Sequence, residues 1–144
     1  MVKEVDKYAS IFNNKVRQEL NYHCEQLGLS ESNYFYLKFL AETPGISQNY
    51  FIDSLHREQS VVTRQINRLV QDGWIDKKIS ATDHRRSELY LTEKGQGVLK
   101  KLDAITALVD EHALAGLTST EAETFAHLLK KAALSYSVEK YTDL

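Results

Sequence analysis

The sequence predicts a mainly α protein with a small β-hairpin. Three observations predict it. Apolar residues recur at the helical period along most of the 144-residue chain. One stretch, Trp74 to Leu91, breaks that period with two strand-like segments around a basic turn. One proline and six glycines leave little room for long irregular linkers.

Each element follows from local signals. Val5, Tyr8, Phe12, Val16 and Leu20 form a stripe along a helix from about Val2 to Gln26, which ends at Gly28. Ser30 is an N-cap with Glu31 in the first turn, opening a helix over Glu31–Glu42 that turns Tyr34, Leu37 and Phe39/Leu40 inward. Pro44-Gly45 stops it, and Ser47 caps a short helix from Gln48 to Leu55. A tight turn at His56-Arg57-Glu58 leads to the next helix, the spacing of a helix-turn-helix. Asp72-Gly73 ends that helix. Trp74–Ile79 and Ser87–Leu91 then pair as a hairpin, with Leu89 and Leu91 inward and Glu88 and Tyr90 outward. Their connection, Ser80 to Arg86, is too long for a two-residue turn and should project. Thr92 caps a helix from Glu93 to about Ala115, carrying Leu99, Leu102, Ile105/Thr106 and Val109. Thr118 and Glu121 form a capping box for a last helix with Phe125, Leu128, Leu129, Ala132 and Tyr136 on one face.

A helix suited to a DNA groove beside a basic hairpin is the arrangement of a winged helix-turn-helix head. The terminal helical regions keep apolar stripes after such a head is built, and packing in a dimer satisfies both. The expected organisation is one domain over residues 1–144, with a head at 30–91 and a helical dimerisation stem at 1–28 and 92–144.

Bulk charge hides a local asymmetry. The formal net charge is -2. Between His56 and Arg86 there are seven Lys/Arg against four acids, and 11 against 16 in the remainder. Local charge sets phosphate affinity, while the acidic remainder resists wrong docking. Cys24 is the single cysteine, which excludes an intrachain disulfide. No run of about 18 apolar residues suggests a membrane span. The opening MVKEVDKYAS is too charged for a signal peptide. A soluble, cytoplasmic protein is expected.

The segment after His56 carries the functional signal. At about 100° per residue, Val62, Ile66 and Leu69 fall together, with Val70 near them. Ser60, Thr63, Arg64, Asn67, Arg68 and Gln71 share the opposite face, with no acid among them. An ordinary solvated face usually carries Glu and Lys at i,i+4 spacing, and this one does not. It reads as a recognition face for direct groove contact. The chain offers no Gly-rich phosphate loop and no nucleophile-base set in a supporting context, so an enzyme is not expected.

The chain resembles the MarR family of winged-helix transcription regulators. The matching residues are Ser60-Val61-Val62-Thr63-Arg64, Asn67-Arg68-Leu69, Asp72-Gly73-Trp74-Ile75, Asp83-His84-Arg85 and Leu91-Thr92-Glu93-Lys94-Gly95. Leu27-Gly28-Leu29-Ser30, Gly45-Ile46-Ser47-Gln48 and Leu117-Thr118 with Glu121 match as well, so the likeness spans nearly the whole chain. The resemblance implies a homodimer on double-stranded DNA, at a pseudo-palindromic site. It implies repression as the commoner role, relieved by a small, often phenolic, effector bound between stem and head.

Residue roles follow. Ser60, Thr63, Arg64 and Asn67 are assigned to the major groove, with Gln59 and Gln71 on phosphates. Arg85 matches the family's wing-tip arginine, which reaches toward the minor groove and reads its width. Asp83 either braces Arg85 or a recognition-helix arginine, or only turns the chain. Arg86, Lys77 and Lys78 neutralise phosphates. Arg68 contacts DNA or ties the helix to the wing by an ion pair. Effector candidates are Phe12, Arg17, Tyr34 and Tyr36, together with residues between Leu102 and Val109, against the reading that the aromatics are core. Some members sense peroxides through a first-helix cysteine, but Cys24 lies at the helix end and reads as a buried thiol. His23, Cys24 and Glu25 are zinc-ligand types, as are Glu111 and His112. Zinc-responsive relatives take further ligands at the start of the second helix, where this chain has Tyr34-Phe35, so no metal or cofactor is expected. A metal- or redox-responsive regulator, and a winged-helix protein-interaction module without DNA binding, stay open as alternatives.

Overall fold

The computed structural model describes residues 1–137 of the chain. The elements run α1 (Val5–Glu25), α2 (Glu31–Glu42), α3 (Gln48–Leu55), α4 (Gln59–Gln71), β1 (Ile75–Ile79), β2 (Ser87–Leu91), α5 (Glu93–Ala113) and α6 (Ser119–Ser135). The chain forms two compact units, residues 1–109 and a second beginning at Asp110. The expected stem extended to residue 144, so its last part lies outside the described residues.

The first unit is built around the helix-turn-helix. Val62, Ile66 and Leu69 of α4 are wholly buried, as are Leu37 of α2 and Phe51 of α3. Each such side chain contributes about 1.5–3 kcal/mol when taken from water. Tyr36 and Phe51 are the largest fully buried residues, with ring centroids 4.8 Å apart and planes tilted by 49°. The α3–α4 turn is made by His56, which adopts a left-handed conformation at φ 50° and ψ 44°. A non-glycine residue adopts it at a cost of about 1–2 kcal/mol.

The expected caps divide. Ser30 accepts from the Asn33 backbone N–H at 3.3 Å, and Thr92 accepts from Gly95 at 3.1 Å. Ser47 makes no side-chain cap bond. It lies instead in a backbone bridge opposite Glu88. Gly45 donates to the Leu89 carbonyl at 2.9 Å, and Leu89 donates to Ile46 at 3.0 Å. The segment before α3 therefore covers the edge of β2, which the sequence reading left open. This also corrects the outward placement of Glu88 and Tyr90. Both are half-buried, and the Tyr90 hydroxyl lies 3.0 Å from where a Cβ on Gly45 would stand.

The hairpin is antiparallel, pairing Ile75 with Leu91 and Ile79 with Ser87. Leu89 is fully buried. Helix α5 starts against the hairpin's base: a Cβ on Gly95 would come within 2.4 Å of the Trp74 carbonyl oxygen, so glycine alone fits. Polar contacts join α2 to α5. Lys38 pairs with Asp103, and the Tyr34 hydroxyl hydrogen-bonds the Thr106 hydroxyl.

In α1 the stripe is covered unevenly. Leu20 is buried and Phe12 and Val16 are half-buried, whereas Val5, Tyr8 and Ile11 stay exposed. In the second unit, the α6 capping box is complete. Thr118 accepts from the Glu121 N–H at 3.2 Å, and Glu121 accepts from the Thr118 N–H at 3.0 Å. No residue of α6 is buried, and Leu128, Leu129 and Leu134 lie open.

Candidate nucleic-acid interface

Helix α4 presents one face to the core and the other to solvent. Gln59, Ser60, Thr63, Arg64, Asn67, Arg68, Gln71 and Asp72 line one open surface region. Thr63 is half-buried and the others are exposed. Seven of the residues assigned from sequence to DNA therefore share this surface, with Asp72 at its end. Arg64 makes no ion pair among the described residues. Arg68 faces Asp72 of its own helix end, Nε to Oδ2 at 3.9 Å, so the expected ion pair to the wing is not formed. The i,i+4 geometry favours the neighbour one turn on.

Two residues of the matching motifs that were given no site role from sequence contact α4. Gln48 of α3 donates from Nε2 to Thr63 Oγ1 at 2.6 Å. Lys94 of α5 donates to the Asp72 carbonyl at 2.8 Å and lies 4.1 Å from the Trp74 ring centroid. A cation at a helix C-terminus satisfies a free carbonyl and complements the dipole. No local pattern marks either residue, since their partners lie 15 and 22 residues away.

The wing tip is a compact turn around Ser80, which is buried. Its hydroxyl accepts from the N–H groups of Thr82 and Asp83, both at 3.3 Å. Asp83 accepts from the Arg85 N–H through Oδ1 at 3.0 Å, and through its carbonyl from the Arg86 N–H at 3.0 Å. It turns the backbone through Oδ1, and among the described residues it makes no ion pair with an arginine side chain. Arg85 and Arg86 are left exposed. Lys77 and Lys78 are both exposed on β1, but successive strand residues point to opposite faces. Lys78 lies 5.1 Å from the Tyr90 ring centroid, so only one of the two lysines can share a given side of the hairpin with a ligand.

The effector candidates fall in separate places, with Tyr34 meeting the Leu102–Val109 stretch at Thr106. Tyr34 and Tyr36 are both buried, and two residues apart on a helix they point to different sides. Tyr34 meets α5, and Tyr36 sits in the head core with Phe51. Burial pushes the Tyr36 hydroxyl pKa up, opposed by the Arg57 guanidinium. Arg17 donates from Nε and Nη2 to Glu31 Oε1 at 3.2 and 2.7 Å. It also lines a cavity of about 530 Å³ with Val16, Leu20, Phe35, Arg57 and Val61. Phe35 and Arg57 were missed because their roles depend on how α1, α2 and the α3–α4 turn meet. Cys24 is fully buried, and burial, then the Glu31 charge, pushes its thiol up to about 11. No group of three or more His, Cys, Asp or Glu side chains able to hold a metal occurs among the described residues.

A helix-turn-helix with a two-stranded hairpin beside its second helix defines a winged-helix protein. Residues 27–86 match the model of the MarR family. The chain is 32% identical over 111 residues to the uncharacterized HTH-type transcriptional regulator YybA of Bacillus subtilis, spanning 77% of this chain and 74% of that one. It belongs to the MarR family, whose members are transcriptional regulators and not enzymes. Its structure superposes with TM-score 0.86 and 25% identity on a MarR family regulator from Listeria monocytogenes complexed with 26mer DNA, covering 92% of this chain and 89% of that one. A mutant MarR of E. coli complexed with operator DNA shares the fold, with TM-score 0.82 at 22% identity, covering 89% and 92%.

Proposed function

We propose that this regulator is a cytoplasmic repressor that binds double-stranded DNA as a homodimer. The acid-free outer face of α4 carries this reading. Its amide, hydroxyl and guanidinium groups are the types that bind base edges in the major groove. Arg85 and Arg86 project from the wing toward the flanking backbone and minor groove. Two copies would place two α4 helices about 34 Å apart, on successive turns of a pseudo-palindrome. The exposed apolar residues of α1 and α6 supply surface for a second copy to cover. The cavity beside Arg17 and Arg57 also carries Glu31 and Glu58 and offers a small effector both charges and the Phe35 ring, and its lining includes Val61 and Gln65 of α4. Occupancy there would bias the reading helix directly and relieve repression.

Selection of duplexes from a random pool tests the reading. The expected product is an inverted repeat. Its affinity should fall linearly on a plot of log K against log salt, because phosphate neutralisation releases counterions. No enrichment, or a flat salt response, would count against DNA binding and favour a protein-interaction module.

A further inference from the structure

We infer that Gln48, on α3 and outside the reading helix, decides which kind of base-edge group Thr63 recognises. This rests on the DNA-binding reading above. Gln48 Nε2 donates to Thr63 Oγ1 at 2.6 Å. An amide nitrogen donates and has no lone pair to offer, so the threonine oxygen is the acceptor. A hydroxyl has one hydrogen, and here that hydrogen is directed away from Gln48.

Besides water, two destinations exist for it. One is the carbonyl a turn back on the same helix, the common partner of a mid-helix Ser or Thr. Thr106 does this, donating to the Leu102 carbonyl at 3.0 Å. Thr63 makes no such bond among the described residues. The other destination is a ligand on the open face that Thr63 shares with Ser60, Arg64 and Asn67. With one of its two lone pairs taken by Gln48 and its proton without a protein partner among the described residues, Thr63 is biased to meet a base edge as a hydrogen-bond donor. In the major groove, guanine O6 and N7, adenine N7 and thymine O4 accept, while cytosine offers only its N4 amino donor. Thr63 set this way disfavours cytosine on the contacted strand.

The position of Gln48 is itself fixed by the wing. The residue before it, Ser47, is bridged to Glu88, and Gly45 and Ile46 exchange backbone bonds with Leu89. The backbone that leads into Gln48 is thus tied to β2, and the Gln48 amide reaches Thr63 of α4.

The test is selection from a random duplex pool with the full chain and four variants: Gln48→Ala, Gln48→Glu, Thr63→Val and the Gln48→Ala/Thr63→Val pair. In Gln48→Ala the hydroxyl turns freely. Discrimination against cytosine should fall about two- to tenfold, the size of one neutral hydrogen bond, at one position in each half-site. Thr63→Val should flatten the same position, and the pair should flatten it no further. In Gln48→Glu the carboxylate only accepts, so Thr63 must donate to it and turn lone pairs outward. Preference at that position should then move toward cytosine or adenine, which carry amino donors. Circular dichroism matching the parent shows that each variant is folded; Gln48→Glu preserves side-chain shape if Gln48→Ala does not fold. A Gln48→Ala profile equal to the parent's, or a uniform loss across all sequences, overturns the inference while leaving DNA binding intact. A parent that enriches no sequence overturns both.

Discussion

At the residue scale, solvent decides what two conspicuous side chains can do. Cys24 is withdrawn from water, and burial, then the Glu31 charge, pushes its thiol up to about 11 by opposing the thiolate. Only the thiolate is nucleophilic. Native protein should therefore react with Ellman's reagent at least roughly a hundredfold more slowly than protein unfolded in guanidinium. Equal rates would refute the buried-thiol reading and reopen a redox role. Arg85 is the opposite case. Its backbone is held by Asp83 and its side chain is free in solvent. Arg85→Ala should weaken DNA binding about tenfold at physiological salt, the scale of one charge-assisted hydrogen bond. The urea midpoint should not move. Wild-type affinity in a gel shift would remove Arg85 from the interface. The sequence left two roles open for Asp83, since a carboxylate two residues from an arginine suits both. Only the turn's geometry shows that its oxygen is taken by a backbone N–H.

At the element scale, the link between α3 and α4 carries strain that no composition reveals. His56 occupies the left-handed region immediately after α3, where glycine is the favoured residue. His56→Gly should raise stability by about 1 kcal/mol, read from a urea melt, with little change in DNA affinity because the side chain lies outside the α4 face. A loss of stability would mean that the imidazole makes contacts worth more than the strain. Elements with short-range logic were legible beforehand. The α6 capping box spans three residues, and it forms as expected. The two-faced character of α4 also needed only its own sequence, because burial of Val62, Ile66 and Leu69 follows from spacing. Ser47 shows where local logic stops. A good N-cap residue was drawn into pairing with β2, 41 residues on.

At the scale of the whole molecule, exposed apolar side chains stand near both ends of the described chain. Val5 and Tyr8 are 63% and 58% exposed at one end of the chain, and Leu134 and Tyr136 are 78% and 71% exposed near the other. Large apolar side chains this open are surface that a partner can cover. The proposed homodimer predicts twice the 16.5 kDa chain mass by light scattering at micromolar concentration. Leu128→Glu with Leu129→Glu should shift the protein toward monomer and weaken operator binding together. A monomeric parent that still binds an inverted repeat would separate recognition from dimerisation.

The sequence by itself determined the helical class, the hairpin, the winged head and the two-sidedness of α4. Each of these follows from periodicity and from residues within a few positions of one another. Tertiary structure decided what depends on distant partners. It set Tyr36 in the core beside Phe51, turned Arg68 to its own helix end, and laid the segment before α3 along β2. It also brought Gln48 to Thr63 and Lys94 to the end of α4. The reason is physical: a spacing rule specifies which face a side chain shares, but the partner a buried or half-buried polar group finds is set by how separate elements close on one another.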